Sequence, residues 1–173
     1  MSALLLYITL LAPLAVVIAY YDVRYRRIPN AFVLAALVGG LTINAIFAGF
    51  SGLLASLSGC ALAFFPLFIL HIFGAMGAGD VKLFAAVGAI VGAGLVLPTL
   101  LIVMITGGVI AVYSMIRAGT VRATMQRVLM ILVGLLPGWQ MPRFAVPADR
   151  RHTIPYGVAI MIGSLISVAL FRA

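Results

Sequence analysis

Six apolar blocks, each close to the length that crosses a bilayer as a helix, make up most of this sequence. They run over Leu4–Tyr21, Ala31–Phe50, Gly52 to about Phe73, Asp80 to Pro98, Thr99–Ile116 and Ile154–Phe171. A helix rising about 1.5 Å per residue needs about 20 residues to cross ~30 Å of hydrocarbon. The blocks are apolar all round rather than striped, which fits spans better than surface helices. A membrane barrel would instead show short alternating segments. The chain has 173 residues, 65% of them hydrophobic and 8% charged. A soluble domain is about half apolar and a quarter charged, so no room remains for a sizeable one. The expectation is an all-α polytopic membrane protein with about six transmembrane helices, forming one membrane-embedded domain over residues 1–173.

The first block is read as a retained span. It lacks a basic leader region and ends in Tyr20-Tyr21-Asp22 instead of a small-residue cleavage site. Pro29 and Asn30 suit the start of the second.

The formal net charge of +8 would suggest nucleic acid in a soluble chain. Here the basic residues lie between apolar blocks and read as cytoplasmic loops, so no nucleic-acid partner is expected. Arg24, Arg26 and Arg27 follow the first block, and Lys82 lies beside the third connection. Arg117, Arg122, Arg127, Arg143, Arg150 and Arg151 lie between the fifth and sixth blocks. The connections near Gly49–Gly52 and Pro98 carry no Lys or Arg, and Arg172 alone falls on the other side. This bias places both termini outside the cytoplasm.

Residues 117–153 form a cytoplasmic loop or interfacial segment. Within it, Val121–Leu136 is too short in its apolar part to span, and reads as an interfacial helix or as a re-entrant loop. Pro137, Pro142 and Pro147 argue against helix from there to Arg151. Gly88 and Gly92, continued by Gly94, permit close helix packing. Cys60 is the single cysteine and reads as a small buried hydrophobe. Neither a disulfide within the chain nor a multi-cysteine metal site follows from one cysteine, and His71 and His152 show no metal-ligand spacing. His71 reads as a hydrogen-bonded structural residue.

Carboxylate chemistry has three candidates, because the sequence holds three acids and no glutamate: Asp22, Asp80 and Asp149. Counting crossings puts Asp22 and Asp80 at the same membrane face. Asp80 follows Gly77-Ala78-Gly79 and opens a helix, where an aspartate also serves as a cap. Asp22 closes a helix, the unfavourable end of the dipole for an anion, and a carboxyl at the membrane edge is costly unless paired or hydrated. The neighbouring arginines offer it a surface ion pair, which is worth little. Asp149, beside Arg150 and Arg151, reads as a solvated loop charge. Lys82 reads as a snorkelling cation or as a group that tunes the two carboxyls or meets an acidic substrate.

Two carboxyls brought together hold one proton between them. The ionised member draws a proton from a bridging water, the protonated member polarises a carbonyl, and water attacks without a covalent intermediate. A membrane transporter or assembly component is the rival from another class. Transporters place polar residues at mid-membrane and often show repeats. Here the two acids share a face, and Asn44 is one of few mid-span polar residues.

Asp22 with Arg26-Arg27-Ile28-Pro29-Asn30, then Gly77-Ala78-Gly79-Asp80-Val81-Lys82-Leu83, then Ile154-Pro155-Tyr156-Gly157-Val158-Ala159, resemble the type IV prepilin peptidases. Gly-x-Gly-Asp is the signature of intramembrane aspartyl proteases more broadly. The resemblance runs over essentially the whole chain and is closest to the small peptidases of Flp/Tad pilus systems. Larger prepilin peptidases add a cysteine-containing segment and a methyl transfer; neither is expected here.

The resemblance implies catalytic roles for Asp22 and Asp80, with Gly77 and Gly79 letting backbone approach the dyad. It implies no metal or organic cofactor and a bacterial inner-membrane location. The implied substrate is a prepilin or pseudopilin, whose short basic leader is cut from a hydrophobic helix on the cytoplasmic side, after a glycine and a few residues before a glutamate. Pilus assembly machinery is an implied partner beside the lipid bilayer. Arg26 and Arg27, in the Arg-rich loop, then meet that glutamate or lipid head groups. A Gly-x-Gly-Asp protease acting on another signal peptide or a preflagellin is the nearest alternative.

Overall fold

In lipid, backbone polar groups must be satisfied within the protein, which leaves helix as the solution for a chain without barrel patterning. The computed structural model describes residues 3–74, 76–134 and 156–171. Among these the helices are α1 (Ala3–Tyr25), α2 (Asn30–Ile72), α3 (Ala78–Val91), α4 (Ala93–Ala118), α5 (Val121–Gly134) and α6 (Tyr156–Phe171), and there are no strands. Leu4–Tyr25, Asn30–Ile72 and Ala93–Ala118 are long and apolar enough to cross a membrane, and α6 is a shorter apolar helix. The chain is an all-helical polytopic membrane protein. Many large apolar side chains point outward, Val16, Ile46, Phe50 and Ile105 among them, as lipid-facing positions do.

Two compact units divide the chain: Met1–Gly107 with Pro155–Ala173, and Gly108–Ile154. In the first, α2 is two arms, residues 30–48 and 50–72, broken at Gly49 (φ 57°, ψ −138°). On a continuous helix Asn44 and Ser56 would stand about 18 Å apart, yet Asn44 Nδ2 lies 2.7 Å from Ser56 Oγ. The chain therefore doubles back, giving the second and third expected spans as an antiparallel pair. A Cβ at Gly52 would collide with the Asn44 carbonyl, so the reversal needs a bare backbone there.

The most enclosed element is α3, buried at Val81 and from Leu83 to Val91. Its 14 residues reach only about 21 Å, and its last carbonyls have no partner within the helix. Polar side chains from the two arms of α2 meet them, and one from α1 supports the first of these. Tyr7 of α1 donates to Asn44 Oδ1 (2.7 Å), the Asn44 amide reaches Ser56 Oγ and the carbonyls of Ala89 (3.0 Å) and Ile90 (3.1 Å), and Ser56 donates to Ala89 O (2.7 Å). Asn44 is thus a structural tie.

Close approach is set by small residues, as expected where lipid supplies no hydrophobic drive between helices. A Cβ on Gly88 would strike the Gly59 carbonyl and the Ala63 side chain, and one on Gly59 would strike the Gly88 carbonyl and Gly92. Gly88 and Gly92 therefore pack as expected, against a glycine on the other arm of α2. Gly94 does not: a Cβ there meets nothing within 4 Å.

The boundary between the fourth and fifth blocks is corrected. The break falls at Gly92 (φ 75°), while Pro98 lies inside α4. Glycine takes up the left-handed turn at no steric cost. Pro98, near the start of α4, removes only one bond, a loss that membrane helices tolerate. The first part of α4 meets α6 through Thr99 Oγ1 and Ser167 Oγ (2.6 Å) and through Thr106 Oγ1, which donates to Ala159 O (3.2 Å).

In the second unit, α4 ends on Gly119 (φ 66°). The Gly119 N–H bonds Ile116 O (3.1 Å) and the Thr120 N–H bonds Met115 O (3.0 Å), a Schellman stop. Helix α5 then settles Val121–Gly134 as helix. Pro137, Pro142, Pro147, Asp149 and His152, with the expectation of non-helical chain around them, lie outside the described residues. Two smaller expectations resolve in the first unit. His71 is hydrogen-bonded, its Nδ1 2.8 Å from Met76 O. Cys60 is half-buried rather than buried, because it faces a hollow instead of a helix neighbour.

Candidate active site

Asp22 stands in the last turn of α1, where the helix stops because Arg26 turns into the left-handed region (φ 53°) and its N–H bonds Asp22 O (3.1 Å). This is a single-bond C-terminal stop usually made by glycine; a non-glycine residue holds it at some strain. Ile28 precedes Pro29, which confines it to extended backbone. Pro29 then opens α2 (φ −66°, ψ 129°). The strained turn and the Ile-Pro pair thus send the chain sharply from α1 into α2 beside Asp22.

The Asp22 side chain is 7% exposed. It lies at the unfavourable end of its own helix and at the favourable end of another. The Val158 N–H in the first turn of α6 donates to Asp22 Oδ2 (3.3 Å), and the Gly157 N–H is a second polar neighbour of the carboxyl. First-turn N–H groups have no partner in their own helix, and the N-terminal end of a helix favours an anion. The Arg26 charge also acts on Asp22. Arg26 Nη1 is buried without a hydrogen-bond partner among the described residues.

Asp80 is held locally. Gly77 is the N-cap of α3, and its carbonyl accepts from the Asp80 N–H (3.1 Å). The Asp80 carboxyl lies beside the Gly77 N–H. This is at most half of a capping box, because glycine has no side chain to return the bond. Asp80 stands where an aspartate supports a helix start, and its carboxyl is half-buried at the helix mouth.

The two carboxyls are within electrostatic reach of each other. Ile28 lies between the helix starts that carry their donors. A Cβ at Gly79 would stand 3.5 Å from Ile28 Cβ, and one at Gly157 3.1 Å from Ile28 Cδ1. Gly77 and Gly157 play matching parts, since a Cβ at either would press on a carboxyl oxygen: Asp80 Oδ2 at 2.9 Å and Asp22 Oδ2 at 2.8 Å. Of the expected residues, the structure brings together Asp22, Asp80, Gly77, Gly79 and Arg26. Arg27 and Lys82 are exposed. Lys82 lines an apolar hollow of about 490 Å³ with Asn30, Leu34, Leu37, Cys60 and Phe64. Reasoning from sequence missed Gly157, Val158 and Ile28 as neighbours of the carboxyls. The Ile-Pro-Tyr-Gly-Val-Ala stretch was visible as a motif, but nothing local to it points to Asp22.

Residues 9–112, more than half of the chain, match the type IV leader peptidase family. The chain belongs to that family. It is a membrane peptidase, a hydrolase in the general sense. No curated protein and no solved structure matches the chain. Asp22, Asp80, Gly77 and Gly79 of this leader peptidase all fall inside the matched stretch, whereas α6, with the N–H groups that reach Asp22, lies beyond it.

Proposed function

We propose that this leader peptidase is an aspartyl endopeptidase that removes the basic leader of Flp-type prepilins or related pseudopilins at the cytoplasmic face of a bacterial inner membrane. Asp22 and Asp80 are the catalytic pair. The observation that carries this reading is the convergence of two carboxyls, 58 positions apart in sequence, each at the N-terminal end of a helix: Asp22 accepts from the Val158 N–H of α6, and Asp80 lies in the first turn of α3. Two carboxyls within mutual reach share a proton. The ionised one takes a proton from water as it attacks the scissile carbonyl. The protonated one donates to the carbonyl oxygen; as the diol collapses, the carboxyl that took the water proton passes it to the departing amine and the other recovers its own from the diol hydroxyl. No covalent intermediate forms, and the protons balance over the cycle.

The distribution of Lys and Arg supports the cytoplasmic placement of this face and an external placement of both termini. The strained turn at Arg26 supports a role for that residue beside Asp22, and Arg27 and Lys82 are exposed cations within five residues of the two aspartates.

The test is prepilin processing in membranes by the wild type, Asp22→Asn, Asp80→Asn and the loop control Asp149→Asn. Each dyad variant should insert normally and accumulate full-length precursor, while the control cleaves. Continued cleavage after loss of either aspartate would overturn the dyad mechanism.

A further inference from the structure

We infer that Gly157, in the first turn of α6, is a positioning residue for Asp22: it keeps the helix start bare so that its N–H groups hold the carboxyl in the reacting pose. The inference rests on the reading of Asp22 as one of the two reacting carboxyls. It adds a residue outside the stretch that matches the peptidase family.

Asp22 needs an external hold. It lies at the C-terminal end of α1, where carbonyls rather than N–H groups are free, and its side chain is buried. The donors come from α6, 136 residues further along the chain for Val158. The bonds form only if the α6 backbone comes right up to the carboxyl, and residue 157 is the point of closest approach. A Cβ there would lie 2.8 Å from Asp22 Oδ2, 3.1 Å from Asp22 Cγ and 3.1 Å from Ile28 Cδ1. Real Cβ atoms do not tolerate the first of these, so something must move. Ile28 has little freedom, because its other side lies against the start of α3 at Gly79. The easiest relief is a shift of the Asp22 carboxyl away from its donors. A displacement of about 1 Å at a reacting group costs roughly a hundredfold in rate.

The full-length enzyme in proteoliposomes, given a prepilin with a basic leader and an apolar segment, provides the test. Gly157→Ala should lower kcat at least about tenfold, leave KM within about twofold because the substrate contacts are untouched, and shift the thermal midpoint little. Gly163→Ala is the packing control. Its Cβ would press on Val103 Cγ2 at 2.7 Å, about 9 Å along α6 from Gly157; it should lower the thermal midpoint while the folded fraction keeps its kcat. Val158→Pro is the second variant. It deletes the N–H that bonds Asp22 at a first-turn position, where a helix loses no internal bond, and it should reproduce the kcat loss if Gly157→Ala fails to insert. Wild-type kcat in either folded variant overturns the positioning role, as does a kcat loss in Gly157→Ala that only tracks the unfolded fraction. Asp22→Asn in parallel separates the two claims: if it still cleaves, the dyad reading has failed, and if it is inactive while Gly157→Ala is fully active, only the positioning role has.

Discussion

The two aspartates reach the same place by different means. Asp80 is held by its own helix: the cap whose carbonyl takes its N–H and whose backbone lies beside its carboxyl is Gly77, three residues back. Asp22 is held from outside by α6. The first arrangement folds with a single turn of helix. The second exists only when α1, the Ile28-Pro29 turn and α6 have all packed. The comparison teaches that one carboxyl of the pair is set by local chain geometry and the other by tertiary packing, so they should respond differently to the same kind of damage.

The largest effect should come where that difference does not matter. On the proposed dyad mechanism Asp22→Asn and Asp80→Asn remove the chemistry itself, and each should cost about 10²–10⁴-fold in cleavage rate, measured as precursor remaining with time. A wide disparity between the two would show that one carboxyl carries the reaction alone.

Next comes the direct contrast of supports. Gly157→Ala should lower kcat at least about tenfold. Gly77→Ala should lower it less, although its Cβ meets Asp80 Oδ2 at a similar 2.9 Å. The Asp80 Cγ stands back at 3.8 Å, no other described residue lies within 4 Å of that Cβ, and Gly77 itself is exposed, so the side chain has somewhere to go. Equal losses would erase the distinction between local and distant support.

At the opposite end of α3, Asn44→Ala removes the group that joins Tyr7, Ser56 and the last carbonyls of α3. It should cost about 1–3 kcal/mol of stability, read as a lower unfolding midpoint in micelles, with the activity of the folded fraction retained. A large loss of kcat at unchanged stability would extend the active site to this network. The smallest effect belongs to Gly94→Ala, where a Cβ meets nothing. It should change stability by no more than about 0.5 kcal/mol, and a larger drop would reveal a packing partner for that face.

The same contrast explains what the sequence made legible. Hydropathy and loop charge suffice to find the apolar blocks, the reversal near Gly49 and the short spacing from Gly77 to Asp80, because each is a local pattern. The Gly92 break was misplaced at Pro98. In a stretch apolar on every side, periodicity carries no phase, and a proline is a louder stop signal than a glycine whose φ is unknown. Gly59, as the partner of Gly88, was silent for the same reason. The contact of α6 with Asp22 leaves no local trace at all. It is a fact about packing between segments 136 positions apart, and only Asp22's unfavourable station at a helix end hinted that a distant donor was required.

That separation also has a meaning in time. Ribosomes add about 5–20 residues per second, so the Asp22 carboxyl is made on the order of ten seconds before the N–H groups that hold it. For the later part of that interval, once residue 80 has been added, the nascent chain carries both aspartates, yet one of them has no anchor. The order of synthesis therefore makes the last helix the step that completes the site, and a chain that stops short of Tyr156 carries both acidic residues of the pair but lacks the donors for one of them.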